Sequence, residues 1–238
     1  MSRGDSTRLT ILERSVEVAS RLGLGGLTIG TLADDLKMSK SGLFAHFKSK
    51  DALQVETLAF AADHFVEAVI RPALREPRGE PRVRALFERW VEWSESQPGG
   101  CILGAAAFEL DDQPGPARDA LAKNQRDWLD TLAQAIRAAQ REGHFSTEVA
   151  PEDMAFTMLG FVFALHHGMR LLGDPEAKAR ALRSFDRLVV AARSPERQLA
   201  IAAEAHASRP PKGRLPTPAS KAGNPTAHRS ARTPRSEP

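Results

Sequence analysis

Apolar residues recur along this chain at steps of three and four. Leu9, Leu12, Val16 and Ala19 form one such stripe, the period of an amphipathic helix. "LGLGG", ending at Gly26, stops it. Ile29, Leu32, Ala33 and Leu36 predict a second, short helix, and Leu43, Phe44 and Phe47 a third. Leu58, Ala62, Phe65 and Val69 predict a long fourth helix beginning after Ser49, which Pro72 kinks or ends. "REPRGEP" reads as a turn. Val83, Leu86, Phe87 and Trp90 mark a fifth helix that stops at "QPGG". A sixth covers Ile102 to Leu110. A seventh runs from Ala117 to Gln140 with Leu121, Trp128, Leu132 and Ile136 inward. The eighth, Glu152 to Leu172, is apolar nearly all round, which implies burial on more than one side. The ninth opens with Asp174 as cap and Pro175 in its first turn, and carries Phe185, Leu188, Val189 and Ala192. No period-2 alternation persists. The expectation is an all-α fold with a three-helix head at the N-terminus and a helical bundle behind it.

Composition adjusts this picture in three ways. The 238 residues are 42% apolar, enough for a substantial core. The one cysteine, Cys101, excludes an internal disulfide framework and suits a reducing compartment. No apolar run approaches the roughly 18–20 residues of a membrane span, and "MSRGDSTRLTILERS" is not a secretory signal. A soluble, cytoplasmic protein is expected. The net charge of +3 hides a partition. Residues 1–53 hold eight Lys/Arg against six Asp/Glu, residues 54–205 hold 18 against 23, and residues 206–238 hold seven against one. Any polyanion would therefore meet the two ends. Residues 206–238 also carry seven prolines and almost no large apolar side chain. Such a segment cannot bury enough surface to offset chain entropy. It reads as a solvated leftover or an auxiliary phosphate-binding arm. The expected division is a head over residues 1–50, a body over 51–194, and a basic, Pro-rich, mostly disordered tail over 195–238.

The chemistry concentrates in residues 28–50. Three helix starts cluster there, each behind a capping hydroxyl: Thr28, Ser39 and Ser49. Each start leaves amide N–H groups unpaired at the positive end of a helix dipole, a ready site for phosphate. Only Lys37 and Met38 separate the second and third helices, so the two short helices form a helix-turn-helix. Leu43 and Phe47, four apart, point inward. Lys40, Ser41 and Gly42 lie in the first turn of the third helix and can point out. Gly42 costs about 1 kcal/mol relative to Ala in a helix interior, and close approach of a partner to the backbone is a useful reason for it. Lys50 sits beside the cap Ser49, where its charge opposes the dipole; a polyanion would relieve that conflict.

"TIGTLADDLKMSKSGLFAHFKSKDAL", Thr28 to Leu53, resembles the DNA-binding head of tetracycline-repressor-type (TetR/AcrR) transcriptional regulators. Spacing, caps and aromatics agree over some 26 residues, and so does the layout of nine helices. The resemblance implies that the third helix enters the major groove of double-stranded operator DNA. On that reading Thr28, Ser39, His46 and Lys50 hold phosphates, and Lys40, Ser41, Gly42 and Leu43 lie near base edges or sugar. Phe44 stands where the family usually has Tyr, so one phosphate hydrogen bond is lost or replaced. Ser41-Gly42 inverts the common Gly-Ser/Thr order, which moves a hydroxyl by one place.

For the body, the resemblance implies a homodimer with a four-helix seam from the eighth and ninth helices, for which Phe163, His167, Phe185 and Leu188 are the candidates. It also implies a cavity for a small-molecule effector that shifts the two heads apart. Phe60, Phe65, Trp90, Cys101, Phe108, Trp128 and Phe161 are its candidate lining, and an apolar or aromatic effector is expected. No cofactor is called for. His166 and His167 point about 100° apart on a helix and cannot chelate one ion. No Gly-rich phosphate loop, nucleophilic triad or Glu-x-x-His pair is present, so an enzyme is not expected. The reading is a homodimeric repressor released from its operator by a small effector. The alternatives are an effector-independent DNA-binding protein, distinguished by a lack of thermal stabilisation by small molecules, and a helical enzyme, distinguished by turnover without DNA binding.

Overall fold

The computed structural model describes residues 3–207, and the expected helices are all among them. The head comprises α1 (Arg3–Leu22), α2 (Ile29–Leu36) and α3 (Lys40–His46). The body begins with α4 (Lys50–Phe65), which runs through a π-helical turn at Val66–Ile70 into the short α5 (Arg71–Ala73). It continues with α6 (Glu80–Ser96), α7 (Ile102–Leu110), α8 (Pro116–Arg141), α9 (Pro151–Arg170) and α10 (Ala177–Ala192), and α11 (Pro195–Ala207) follows. Among the described residues the only sheet-like feature is a single antiparallel bridge between Phe145 and Arg193, and no helix is long and apolar enough to cross a membrane.

The head closes on a small core that it shares with the start of α4. Leu24, Leu27, Leu32, Leu43, Phe47 and Leu53 are each 0–1% exposed, and full burial of one such side chain contributes about 2 kcal/mol. Arg8 fastens the head across its base. Its guanidinium donates to the His46 carbonyl at 2.8 Å, lies 4.8 Å from the Phe47 ring centroid and pairs with Glu56 of α4. In the body, α8 packs on α4, α6, α7 and α9, and α10 packs on α9. One buried carboxylate ties the far end together: Glu80 accepts from Arg193 at 2.7 and 2.9 Å and from Arg84 at 2.8 Å.

Three local outcomes differ from expectation. Pro72 neither kinks a long helix nor ends it at once; a π turn precedes it and the helix stops one residue later, at Ala73. Asp174 and Pro175 form a turn, with the Asp174 carboxylate accepting from the Glu176 N–H at 2.9 Å, and α10 starts only at Ala177. The expected tail does not begin at residue 195. Ser194 accepts from the Arg197 N–H at 3.1 Å and donates to the Gly143 carbonyl at 2.6 Å. With Pro195 and Glu196 in the first turn, that cap starts α11. The rest of the tail, residues 208–238, lies outside the described residues.

Candidate nucleic-acid interface and ligand cavity

All three capping hydroxyls act as their spacing predicts. Thr28 Oγ1 accepts from the Thr31 N–H at 3.0 Å, while Thr31 Oγ1 accepts from the Thr28 N–H, a reciprocal capping box. Ser39 Oγ accepts from Gly42 N–H, and Ser49 Oγ from Ala52 N–H, each at 3.0 Å. Between α2 and α3, Lys37 adopts the left-handed conformation (φ 53°, ψ 37°) and exposes its side chain, while the Met38 N–H bonds the Ala33 carbonyl at 3.0 Å. That single residue makes the tight turn.

The three starts are brought together. A methyl group built on Gly30 would lie 3.6 Å from Thr28 Oγ1 and 3.9 Å from Lys40 Nζ, so the first residue of α3 reaches the first turn of α2. Lys50 Nζ donates to the Gly25 carbonyl at 3.2 Å, so the first residue of α4 reaches the loop that leads into α2. Lys40, Ser41, Phe44 and Lys50 are exposed, and Thr28, Gly42 and His46 are half-buried. Phe44 is 54% exposed, an apolar ring standing out from α3. Leu43 corrects the expected set. It is 0% exposed, because its position four before Phe47 turns it into the head core, out of reach of any partner.

The loop Gly23–Gly26 joins head to body. Glu109, in the last turn of α7, accepts from the Leu24 N–H at 3.1 Å through one carboxylate oxygen and from the Gly25 N–H at 3.0 Å through the other. Gly23 has φ +79°, and any side chain there would meet the Glu109 carboxylate at 2.8 Å. From the other side, Gln54 of α4 donates to the Leu24 carbonyl at 2.6 Å. Gly99 lies against the end of α1 so closely that an added carbon would sit 1.7 Å from the Ser20 carbonyl oxygen. Sequence reasoning missed Glu109; a lone glutamate at a helix end carries no signal until its partners are known.

A cavity of about 270 Å³ lies among α4, α6, α7, α8 and α9. Phe65, Trp90, Cys101 and Trp128 line it as expected. Their rings form a perpendicular set: Phe65 meets Trp128 with centroids 4.9 Å apart at 86°, and Trp90 meets Trp128 at 5.1 Å and 88°. Phe60, Phe108 and Phe161 do not line it. Phe60 packs on the His64 ring at 4.1 Å, Phe108 is 65% exposed on the outside of α7, and Phe161 faces Phe87. Each lies off the stripe of its helix that faces the cavity. Phe163, expected at a seam, lines the cavity together with His166. Phe185 is 1% exposed and stacks on Phe87 at 4.0 Å, so it belongs to the interior of the protomer and not to a seam. His167 is exposed and Leu188 half-buried.

The polar groups in the cavity carry no sequence signal beyond their period. Asn124, Gln125 and Thr131 share the inward stripe of α8 with Leu121, Trp128 and Leu132, and that shared spacing was their signal. Asp63 of α4 lines the cavity from an exposed position. Burial pushes the Cys101 thiol up, against the N–H groups of Gly104 and Leu103 that aim at its sulfur. Burial lowers the His166 pKa, and the charges of Arg170 and His167 push it the same way.

The match to known proteins agrees with this geometry at both ends. The sequence profile described as "Bacterial regulatory proteins, tetR family" matches residues 11–57. The profile "Tetracyclin repressor-like, C-terminal domain" matches residues 79–185. The chain belongs to the tetracycline-repressor family of transcriptional regulators. The HTH-type transcriptional repressor DhaR of Mycobacterium sp. (strain GP1) is 23% identical over 151 residues, 62% of this chain and 74% of DhaR. A TetR transcriptional regulator from Chloroflexus aurantiacus J-10-FL shares the fold with a TM-score of 0.70 at 20% identity, over 80% of this chain and 96% of its own. AibR, whose structure holds isovaleryl coenzyme A and operator DNA, aligns with a TM-score of 0.55 at 22% identity, over 66% of this chain and 85% of its own. Members of the tetracycline-repressor family are DNA-binding regulators, not enzymes.

Proposed function

We propose that this chain is a homodimeric repressor whose grip on operator DNA falls when a small, largely apolar or aromatic effector enters the cavity. Residues 1–50 then form the reading head and residues 51–194 the effector-binding and pairing body. Thr28, Ser39, His46 and Lys50 hold phosphates, Lys40, Ser41 and Gly42 lie nearer the bases, and Phe44 meets the DNA backbone without a hydrogen bond. AibR, of similar fold, is known with both a small acyl thioester and operator DNA, which favours an effector here too. One observation carries the reading: α7 forms a wall of the cavity and ends in the Glu109 carboxylate, which holds the loop leading into α2. A ligand that prefers one position of α7 therefore prefers one setting of the head, which is the differential binding that release requires.

Pairing is supported by a stripe that nothing among the described residues covers. Phe156, Gly160, Ala164, His167 and Leu171 are exposed at helical spacing along α9; Phe156 and Leu171 are each 72% exposed. Val190 of α10 is also half open to solvent. Phe163 and Leu188 flank this face. Two heads related by a two-fold axis would read half-sites about one helical turn or more apart.

The test is anisotropy of labelled DNA from upstream of the gene, with and without a panel of metabolites. A metabolite that lowers operator affinity is the expected result; a panel without effect, over a protein that binds DNA, favours an effector-independent binder. In the same assay Lys50→Ala weakens operator and random DNA alike, and the salt slope falls by about 1 for each phosphate that a subunit no longer neutralises. An unchanged slope removes Lys50 from the phosphate set.

A further inference from the structure

The reading above leaves the effector's charge open, and the cavity constrains it. Its walls are aromatic and aliphatic, with Phe65, Trp90 and Trp128 as the largest faces. Two carboxylates, Asp63 and Asp127, line it, and none of its described lining residues is Lys or Arg. Asp127 is bonded to Lys123 at 2.6 Å, on the outer side, which leaves Asp63 as the lining carboxylate without an ion pair or hydrogen bond among the described residues. The rim formed by Asp63, Asp127 and Lys123 thus carries one net negative charge. His166, the one further titratable ring in the wall, has its pKa lowered by burial and by Arg170 and His167, which favours its neutral form. An anionic guest would meet two carboxylates at the rim and one cation, Lys123, already paired with Asp127. A cationic guest would find a partner at the rim and ring faces that attract positive charge inside. The volume, about 270 Å³, lies just below the roughly 300–1,000 Å³ usual for ligand pockets, so the guest is small.

We infer that the effector is a small lipophilic monocation, its charged group held at the rim by Asp63 and its apolar body against Phe65, Trp90 and Trp128. This rests on the proposal that the cavity is the effector site. It separates this chain from a binder of acyl thioesters, whose phosphates would have no basic partner here besides the already paired Lys123. Asp63 is exposed, so the charge stays partly hydrated and the cost of burying it is small.

Three isosteric probes test it: 2-phenylethylamine, 2-phenylethanol and phenylacetate, each titrated against the full chain by quenching of tryptophan fluorescence. The amine is expected to bind about five- to tenfold more tightly than the alcohol, and the carboxylate more weakly than the alcohol. Asp63→Asn removes the advantage of the amine and leaves the alcohol unchanged, while Asp63→Glu retains the advantage. Equal or tighter binding of the alcohol or the carboxylate overturns the inference. So does an Asp63→Asn chain that keeps the preference, and so does a failure of all three probes to bind up to their solubility. DNA anisotropy on the same samples separates the two claims. A chain that binds DNA but does not prefer the amine loses the ligand class alone. A chain that prefers the amine but ignores DNA loses the regulatory reading alone.

Discussion

Glu80 shows how much a single side chain decides. It is 5% exposed, and burial alone would raise its pKa. Hydrogen bonds from Arg193 and Arg84 override that effect and hold the carboxyl at about 2, against an ordinary value of 4.5. The shift is downward on folding, so the stabilisation is complete above about pH 4.5 and is lost as pH falls toward 2. It amounts to about 3 kcal/mol. Glu80→Gln should cost roughly that much at neutral pH and should flatten the acid limb of the stability curve, measured by urea unfolding at a series of pH values. Parallel acid limbs for the two proteins would assign the network no such role. Residues were also the scale at which the sequence was hardest to read. Phe156 and Phe185 occupy similar apolar stripes, yet one is 72% exposed and the other 1%. Periodicity tells which side chains share a face; it does not tell whether a neighbouring helix of the same chain covers that face. Asp63 and Glu109 had no local pattern at all, because their meaning lies in partners distant along the chain or in a cavity made by several helices.

Elements were far more legible. The caps Thr28, Ser39 and Ser49 lie where a hydroxyl meets the start of an apolar period, and each makes the bond its position predicts. The boundaries that moved did so for local reasons. Asp174 closed a turn before α10 instead of capping it. Ser194-Pro195-Glu196 is a good helix start that the proline-rich composition further on concealed. The π turn at Val66–Ile70 has no sequence signature beyond the Pro72 that follows it, although Val66 and Ile70 both face the cavity. The functional prediction at this scale concerns α7. Glu109→Gln keeps one acceptor and loses the charge that makes a paired grip on the Leu24 and Gly25 amides strong. Effector affinity should remain within about twofold, while the effector-induced drop in DNA affinity shrinks, by about 1 kcal/mol of the roughly 1–3 kcal/mol typical of such coupling. Titrating DNA affinity at zero and saturating effector measures this directly. Undiminished coupling would move the link from Glu109 to α4, which also connects cavity and head.

At the scale of the whole molecule, the expected all-α plan and the helix-turn-helix head are both present, because every element carries its own period and its own start. The pairing face is the part that one chain cannot display. If α9 supplies it, Phe156→Glu should give a monomer by light scattering and leave the helical signal unchanged. Operator affinity should fall on the order of a hundredfold because the second, tethered head is gone, while the weak affinity of a single head for DNA stays. A Phe156→Glu protein that remains dimeric would put the seam elsewhere. The described residues of a single chain are enough to form the aromatic chamber. If two such chains pair, each would bring its own chamber and its own Glu109 contact to the loop before α2. On the proposed reading, the assembly would then pass through three occupancy levels: empty, half-filled and full.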